Sequence, residues 1–533
     1  MSSRQTTQPK AAKGAPAAGD LIARRWDYII VGGGSAGCVL ARRLSEDPWV
    51  SVLLVEAGNA VHDKAVSVPS SWPSLAGSNY DWNYLSTAQV GLNGRCPNQP
   101  RGKGLGGSTL INAMGFQRGA SEAYDSWGRE TGDPGWSSEG LLPYFRKLET
   151  ASDGANRFRG GDGPLHVLQL NDVVDRHPLA LAIAEAGVEA GHAANDDWNG
   201  ARADGTIWSQ LTIKNGLRDT AASAFLDPAR DRSNLGILTG ARVTRLIVKG
   251  TRCVGIELTC DGRGHRLTAT EETILCAGAF DSPRLLMLSG VGDITVLEKA
   301  GVKVVHHLVG VGSNLHDHLL VPGLLYQSSR PLAASRYNHC ESIVVAQSQH
   351  SPGWADLMIM GLSVPFLSPL LGPPAANTFS LVPALTYPRS RGSIKILSSN
   401  PAHSAVIDPG YLRDPVDLDV LVDGLEIARS MAATASLRRW ISKEVFPGRA
   451  VLTRRALSAY IRSVASPFFH PVSTCAMGRA DSIDAVVDPA CRVRGIDNLR
   501  IVDASVFPSI PQAMTNAAVF AVAERAADII RTR

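Results

Sequence analysis

The sequence carries little charge for its length. Of 533 residues only 19% are charged, 53 basic against 49 acidic, giving a formal net charge of +4 with no block of like sign. That balance offers no electrostatic footprint for nucleic acid or for an anionic membrane surface. Cysteine is also scarce. The eight, at 38, 96, 253, 260, 276, 340, 475 and 491, form no C-x-x-C pair. In a chain of this size the pattern excludes a disulfide framework and reads as reduced, mostly buried thiols. No apolar run approaches the roughly 18 uninterrupted residues a membrane helix needs, so no membrane span is expected. No period of 20–50 residues recurs, which excludes a solenoid or propeller. Residues 1–25 are rich in Ala, Lys, Gln and Ser and lack an apolar core of the secretory type. Arg24-Arg25 runs straight into DYIIVGGG, whose character is that of a strand of the fold. Together these absences predict a cytoplasmic protein with a disordered tail over residues 1–25.

What the sequence does contain is 44% apolar residues with 51 glycines and 31 prolines, an ordinary globular composition rich in turns. The length corresponds to two to four domain-sized units. Asp27-Tyr-Ile-Ile-Val31 is a short β-rich apolar run ending in glycine, the mark of a buried parallel strand. Residues 35–46 carry small and apolar side chains at helical spacing, and residues 52–56 read as a second buried strand. Strand, glycine turn, helix and strand make one right-handed βαβ unit. Farther along the texture changes. Residues 241–248 and 253–259 alternate as an antiparallel pair, 273–276 form another strand, and 351–400 read as sheet and loop. Residues 415–465 turn helical, and 515–533 form an amphipathic helix ending in basic residues, as the helix dipole prefers.

Gly32-Gly33-Gly34-Ser35-Ala36-Gly37 fits G-x-G-x-x-G. The first glycine permits a tight turn, the second lets backbone approach a pyrophosphate, and the third lets the helix pack on the strand. Helix N-terminal amides then face the phosphate charge. Alone the motif is weak. Here it follows a strand, opens a helix and precedes Glu56, nineteen residues beyond Gly37, where a carboxylate accepts hydrogen bonds from ribose hydroxyls. The motif by itself does not distinguish NAD from FAD.

From Asp27 to its end the chain resembles the glucose–methanol–choline (GMC) flavin oxidoreductases. Several stretches carry the resemblance: residues 27–58, RGKGLGGSTLINAMGFQRG at 101–119, GAFDSPRLLMLSGVG at 278–292 with GVGSNLHDH at 310–318, HPVSTCAMG at 470–478, and residues 502–528. It implies an α/β fold, α+β overall. A Rossmann-like FAD-binding domain with a parallel sheet (26–165, 211–325 and 465–533) joins a substrate-binding domain of antiparallel sheet and helices (166–210 and 326–464). It also implies that Ala57 joins Glu56 at the cofactor, and that Gly106-Gly107-Ser108 offers backbone amides to the flavin. Asn112 would offer its side-chain amide, with Ala113 beside it. Val243 matches a position that meets adenine, and Asp503, Ala504 and Asn516 match positions near the ribityl chain. Some relatives attach FAD through a histidine whose place is taken here by Ile111, so the expected FAD is non-covalent.

The same resemblance makes His470 the catalytic group. A hydride does not leave a neutral alcohol readily unless the hydroxyl proton is taken, and imidazole suits that task near neutral pH. FAD accepts the hydride. His316 and His318 would pack structurally in the NLHDH motif, and with no second ligand set beside them no metal site is expected. One position departs from the family: the second His or Asn, forty-four residues on, is Met514. A thioether donates nothing to an alkoxide, and loss of one such donor costs on the order of 3 kcal/mol in the transition state. Gln512, a water or a substrate-domain side chain could fill the role. Phe468, Phe469 and Met514 point to an apolar or aromatic alcohol, oxidised to an aldehyde or ketone, with oxygen or a quinone-like acceptor taking the electrons. The alternative is a non-redox lyase, of hydroxynitrile lyase type, on the same scaffold.

Overall fold

The computed structural model describes residues 17–61 and 63–532. Of the tail expected over 1–25, residues 1–16 lie outside the described residues. Residues Ala18–Ala23 form a short helix that buries Leu21, whose carbonyl accepts a hydrogen bond from the Trp26 indole at 3.0 Å. The expected disorder is therefore corrected there: an apolar residue with a partner in the core orders the segment.

The first sheet is built on the predicted βαβ unit. Strand Trp26–Val31 leads through the glycine turn into helix Ser35–Leu44 and back to strand Val52–Val55. Strand Leu235–Leu238 extends the parallel sheet on one side. On the other, Arg263–Leu275 pairs with Trp26–Val31 in parallel, and Leu499–Ile501 pairs in parallel with its last residues, Thr273–Leu275. The long strand does double service. Its residues 263–268 pair antiparallel with Arg252–Cys260, which pairs in turn with Ala241–Lys249, the predicted antiparallel pair. Ile29, Ile30, Leu53, Leu54 and Ile274 are fully buried, because helices cover both faces of a parallel sheet. One of those helices is the predicted C-terminal one, Asn516–Arg531.

The second sheet is antiparallel for most of its width. Its centre is Ser342–Ala346, Leu357–Leu362 and Thr378–Leu385, every residue buried. Period-2 alternation sends each strand's side chains to opposite faces. Val344, Ile359 and Leu381 pack with Leu179, Ile183, Leu421 and Leu425 of helices Pro178–Glu189 and Pro415–Ala433. Ile343, Met358, Met360 and Val382 face the other way, toward Trp72, Phe468 and Met514. The helical texture expected over 415–465 holds, except that Ile441–Phe446 is an edge strand. At the other end of the sheet's reach, Ser466–Pro467 pairs with Leu319–Leu320, so the chain leaves this sheet three residues before His470.

Between the sheets runs residues 113–118, fixed by a buried ionic cluster. Glu149, fully buried, accepts from the guanidinium groups of Arg118 and Arg159 and from the Gly160 amide. Removing one partner of such a cluster strands the other charges in the interior, which costs about 3–5 kcal/mol. Glu149→Gln should therefore lower the urea midpoint of unfolding markedly. An unchanged midpoint would show that the cluster does not hold this segment.

Candidate active site

One cavity lies between the two sheets. Gly32, Gly34, Ser35, Ala36, Glu56 and Ala57 line one end of it, and His470, Phe468 and Met514 the other. Ser108, Asn112, Ala113, Val243, Asp503, Ala504 and Asn516 also reach its wall, as do Ile111 and Phe469.

The glycines at the first end have different reasons to be glycine. A Cβ on Gly37 would sit 1.9 Å from the Gly32 carbonyl oxygen, so Gly37 serves helix-on-strand packing and lies off the cavity wall. Gly32 has φ +106°, and its Cβ would lie 2.4 Å from the Cys276 carbonyl oxygen. At Gly34, by contrast, a Cβ would meet no protein atom nearer than 3.9 Å. Nothing in the chain requires that hydrogen; it leaves a cradle on the cavity side. The Ser35 hydroxyl donates to Asn516 Oδ1 at 2.7 Å and ties two helix N-termini to the same spot. Both present free amides and the positive ends of their dipoles there, which suits a pyrophosphate.

Two expectations need correction. Gly106 is not on the wall, because its amide donates to the Gly33 carbonyl at 2.7 Å; Gly107 takes its place, with a Cβ that would lie 2.6 Å from Gly34 Cα. Gln512 lines a second, separate cavity with His316 and Trp354, so it cannot stand in for the missing donor at 514. Two others are refined. Glu56 Oε2 accepts from the Gly33 amide at 2.8 Å, and Oε1 from those of Gly58 and Gly104 at 2.8 and 3.1 Å. Burial raises its pKa against these three amides, and the remaining lone pair of Oε2 is what it has left for a ribose. Asp503 is similarly spent: it accepts from the Gly278 amide, the Ser282 hydroxyl and the Ser505 amide. Asn112 keeps a free end, since its Oδ1 accepts from the Met114 amide while Nδ2 has no partner among the described residues.

At the other end His470 follows Phe469, whose φ of +67° is strained for a β-substituted residue. Three contacts hold that corner. The Arg101 guanidinium donates to the Phe469 carbonyl, the His470 amide donates to Asp317 Oδ1 at 2.6 Å, and the Phe468 ring centroid lies 4.4 Å from that of His470. Asp317 Oδ2 accepts from the Tyr411 hydroxyl, which accepts from Gln99 Nε2 at 2.8 Å. Burial pushes the Asp317 carboxyl up to about 6, with Tyr411 and Arg101 pulling against it. His470 Nδ1 lies 3.0 Å from His318 Nδ1. His318 is thus a polar partner as well as a packing residue, and sequence reasoning missed the pairing although the NLHDH motif had been singled out. Burial lowers His318 to about 3. Burial, His318 and Arg101 together hold His470 well below the usual imidazole range. Met514 packs over Gly115, whose Cβ would lie 2.7 Å from its Sδ.

A nucleotide cradle at one end of a cavity and an imidazole pair at the other suit an enzyme that holds a dinucleotide cofactor. The chain belongs to the GMC oxidoreductases: models of that family match residues 26–320 and 388–523. It is 37% identical to human mitochondrial choline dehydrogenase, over 98% of this chain and 93% of the relative. It is 38% identical to pyridoxine 4-oxidase of Microbacterium luteolum, over 94% and 98%. Among solved structures, pyridoxine 4-oxidase from Mesorbium loti superposes with a TM-score of 0.92 at 37% identity, covering 96% of this chain and 100% of that one. The protein is an FAD-dependent alcohol oxidoreductase with a Rossmann-like domain. Among the described residues no helix is long and apolar enough to cross a membrane and no cluster suits a metal ion.

The cradle makes a sharp prediction. Gly34→Ala should leave the apoprotein fold within about 1 kcal/mol of wild type, the ordinary cost of alanine at a helix N-cap. It should nevertheless abolish FAD retention on gel filtration. An alanine variant that purifies yellow would place the pyrophosphate elsewhere.

Proposed function

We propose that the protein oxidises an uncharged apolar or aromatic primary or secondary alcohol to its aldehyde or ketone, with His470 as the base. The observation that carries the substrate class is the distribution of charge on the cavity wall. Its carboxylates are Glu56, Asp281 and Asp503, and all three belong to the dinucleotide half, bonded to backbone amides or to the Tyr84 hydroxyl. The second sheet contributes Ile343, Met360 and Leu362, with Trp72, Phe468 and Met514 beside them. Among the described residues no carboxylate there would neutralise a quaternary ammonium, and desolvating a cation without a counter-ion is costly even against aromatic faces. An aromatic or aliphatic carbinol loses little on entering.

Bound FAD supplies the acceptor for the two electrons and the carbinol hydrogen. The chain's own part is to take the hydroxyl proton. Two neutral imidazoles sharing a hydrogen bond through Nδ1 require one Nδ1 to carry hydrogen and the other to be bare. If the hydrogen is on His470, its Nε2 is bare and free to accept a proton from the substrate. The Thr386 and Pro511 carbonyls beside the His318 ring favour a proton on that ring's other nitrogen. They do not reach hydrogen-bond geometry with its Nε2, but their partial charge favours the base-competent arrangement. The Asp317 carboxylate and the Arg101 guanidinium hold the corner from which His470 projects. Met514 offers the substrate oxygen no donor, which suits an alcohol already acidified by an adjacent ring. The FAD is held without a covalent bond, a reading supported by Ile111 on the wall and by His470 as the only histidine among the described residues that line the cavity. Oxygen or a quinone-like compound takes the electrons onward.

Anaerobic mixing tests the substrate class directly. Benzyl alcohol or pyridoxine should bleach the flavin, and choline should bleach it far more slowly; rapid bleaching by choline alone would reverse the assignment. Admitting oxygen afterwards reports the acceptor. His470→Ala should keep its FAD and lose roughly 10²–10⁴-fold in the reduction rate, the usual worth of a positioned base. Because the His470 pKa is lowered, the base stays unprotonated as pH falls through the ordinary value near 6.5. The reduction rate should accordingly hold level through that point and decline only well below it. A decline centred at or above 6.5 would contradict a buried, neutral His470.

A further inference from the structure

The loop Thr109–Asn112 on the cavity wall is held from behind by a cation that no acid neutralises. Arg218, on the short strand Leu217–Arg218, is buried. Its Nη1 donates to the carbonyl oxygens of Thr109 (3.2 Å) and Asn112 (2.6 Å) and to Asn112 Oδ1 (2.9 Å), while Nε donates to the Val66 carbonyl (2.8 Å). Nη2 is buried with no partner among the described residues. The other buried arginines, Arg118, Arg159, Arg284 and Arg500, each have a carboxylate in contact. Arg218 has none. Burial draws its pKa down to about 10, which still leaves it charged at neutral pH.

Tethering carbonyls does not require a charge, since neutral donors would do so with less desolvation. A guanidinium without a counter-ion makes sense where negative charge arrives later, and the loop's other side faces the flavin cavity. Asn112 connects the two sides. Its Oδ1 accepts both from Arg218 and from the Met114 amide, so only its N–H donors are left to present to a ligand. We propose that Arg218 is a positioning residue for the flavin: it fixes the Asn112 carboxamide so that it donates into the cavity, and its unpaired charge favours electron uptake there. The negative charge gained by the flavin on reduction is then the counter-charge that the protein omits.

Two variants of the FAD-loaded enzyme separate the parts of this proposal. Arg218→Met removes both fork and charge, and Arg218→Lys keeps the charge but loses the fork. With folding verified by thermal melting, Arg218→Met should raise the FAD dissociation constant about tenfold or more. It should also lower the flavin midpoint potential enough to cut the reduced-to-oxidised ratio about tenfold, roughly 30 mV for a two-electron couple. Arg218→Lys should share the weaker FAD binding yet keep that ratio within about twofold, a rescue that a purely structural tether would not give. A folded Arg218→Met enzyme with wild-type FAD affinity and potential overturns the proposal. If Arg218→Met yields no folded holoenzyme, Arg218→Lys decides: wild-type FAD affinity or a potential lowered by the full tenfold ratio refutes it, and weaker binding at an unchanged potential upholds it.

Discussion

A Cβ on Gly37 would stand 1.9 Å from the carbonyl oxygen of Gly32, and one on Gly107 would stand 2.6 Å from Cα of Gly34. These distances measure how closely three backbone segments are pressed together at the end of the parallel sheet. The helix Ser35–Leu44 can aim its N-terminus at the cavity only because Gly37 lets it lie against the strand before it. The loop at 104–112 can close over that N-terminus only because Gly107 lets it descend onto Gly34. Glu56 then joins both layers, accepting from Gly33 on one and Gly104 on the other. This end of the cavity is thus made largely of main chain, and side chains enter where a carboxylate or a hydroxyl is needed to tie the segments together.

The opposite end of the cavity follows another logic. There a β-sheet, paired through Ser466–Pro467, delivers the chain to a strained turn at Phe469 and so to His470. The strain is borne by contacts from several parts of the sequence: Arg101 from the glycine-rich loop, Asp317 and His318 from the segment just before strand Leu319–Leu320, and Tyr411 behind them. None of these residues is near His470 in sequence. Together they fix the imidazole's direction, and two of them, His318 and Arg101, join burial in lowering its pKa, so that position and protonation state are set by overlapping contacts.

Legibility in the sequence tracked the range of the interaction. The βαβ unit, the antiparallel pair at 241–260 and the final helix were readable because a run of apolar residues with period 2 or 3.6 is a local signal. The roles of Gly34 and Gly37 were readable because a motif of six residues contains their whole geometry. Gly106 and Gly107 were not told apart, since which of two adjacent glycines faces a ligand depends on a left-handed turn that neighbouring residues do not encode. Gln512 was misplaced for a similar reason: it and Met514 are two residues apart in an irregular segment, and face different cavities. The contact of His318 with His470 spans 152 residues and joins two motifs that read separately. The charge balance at the substrate end was likewise hidden until the second sheet had a facing surface.

That sheet has one further consequence. Because its strands alternate, Ile343, Met360 and Leu362 line the cavity while Val344, Ile359 and Leu381 secure the helices behind. Those cavity-facing positions are themselves packed, so a change of size there reshapes the cavity at a cost in stability. Substitution on one face of each strand therefore alters the shape of the cavity, and on the other the seating of the helices.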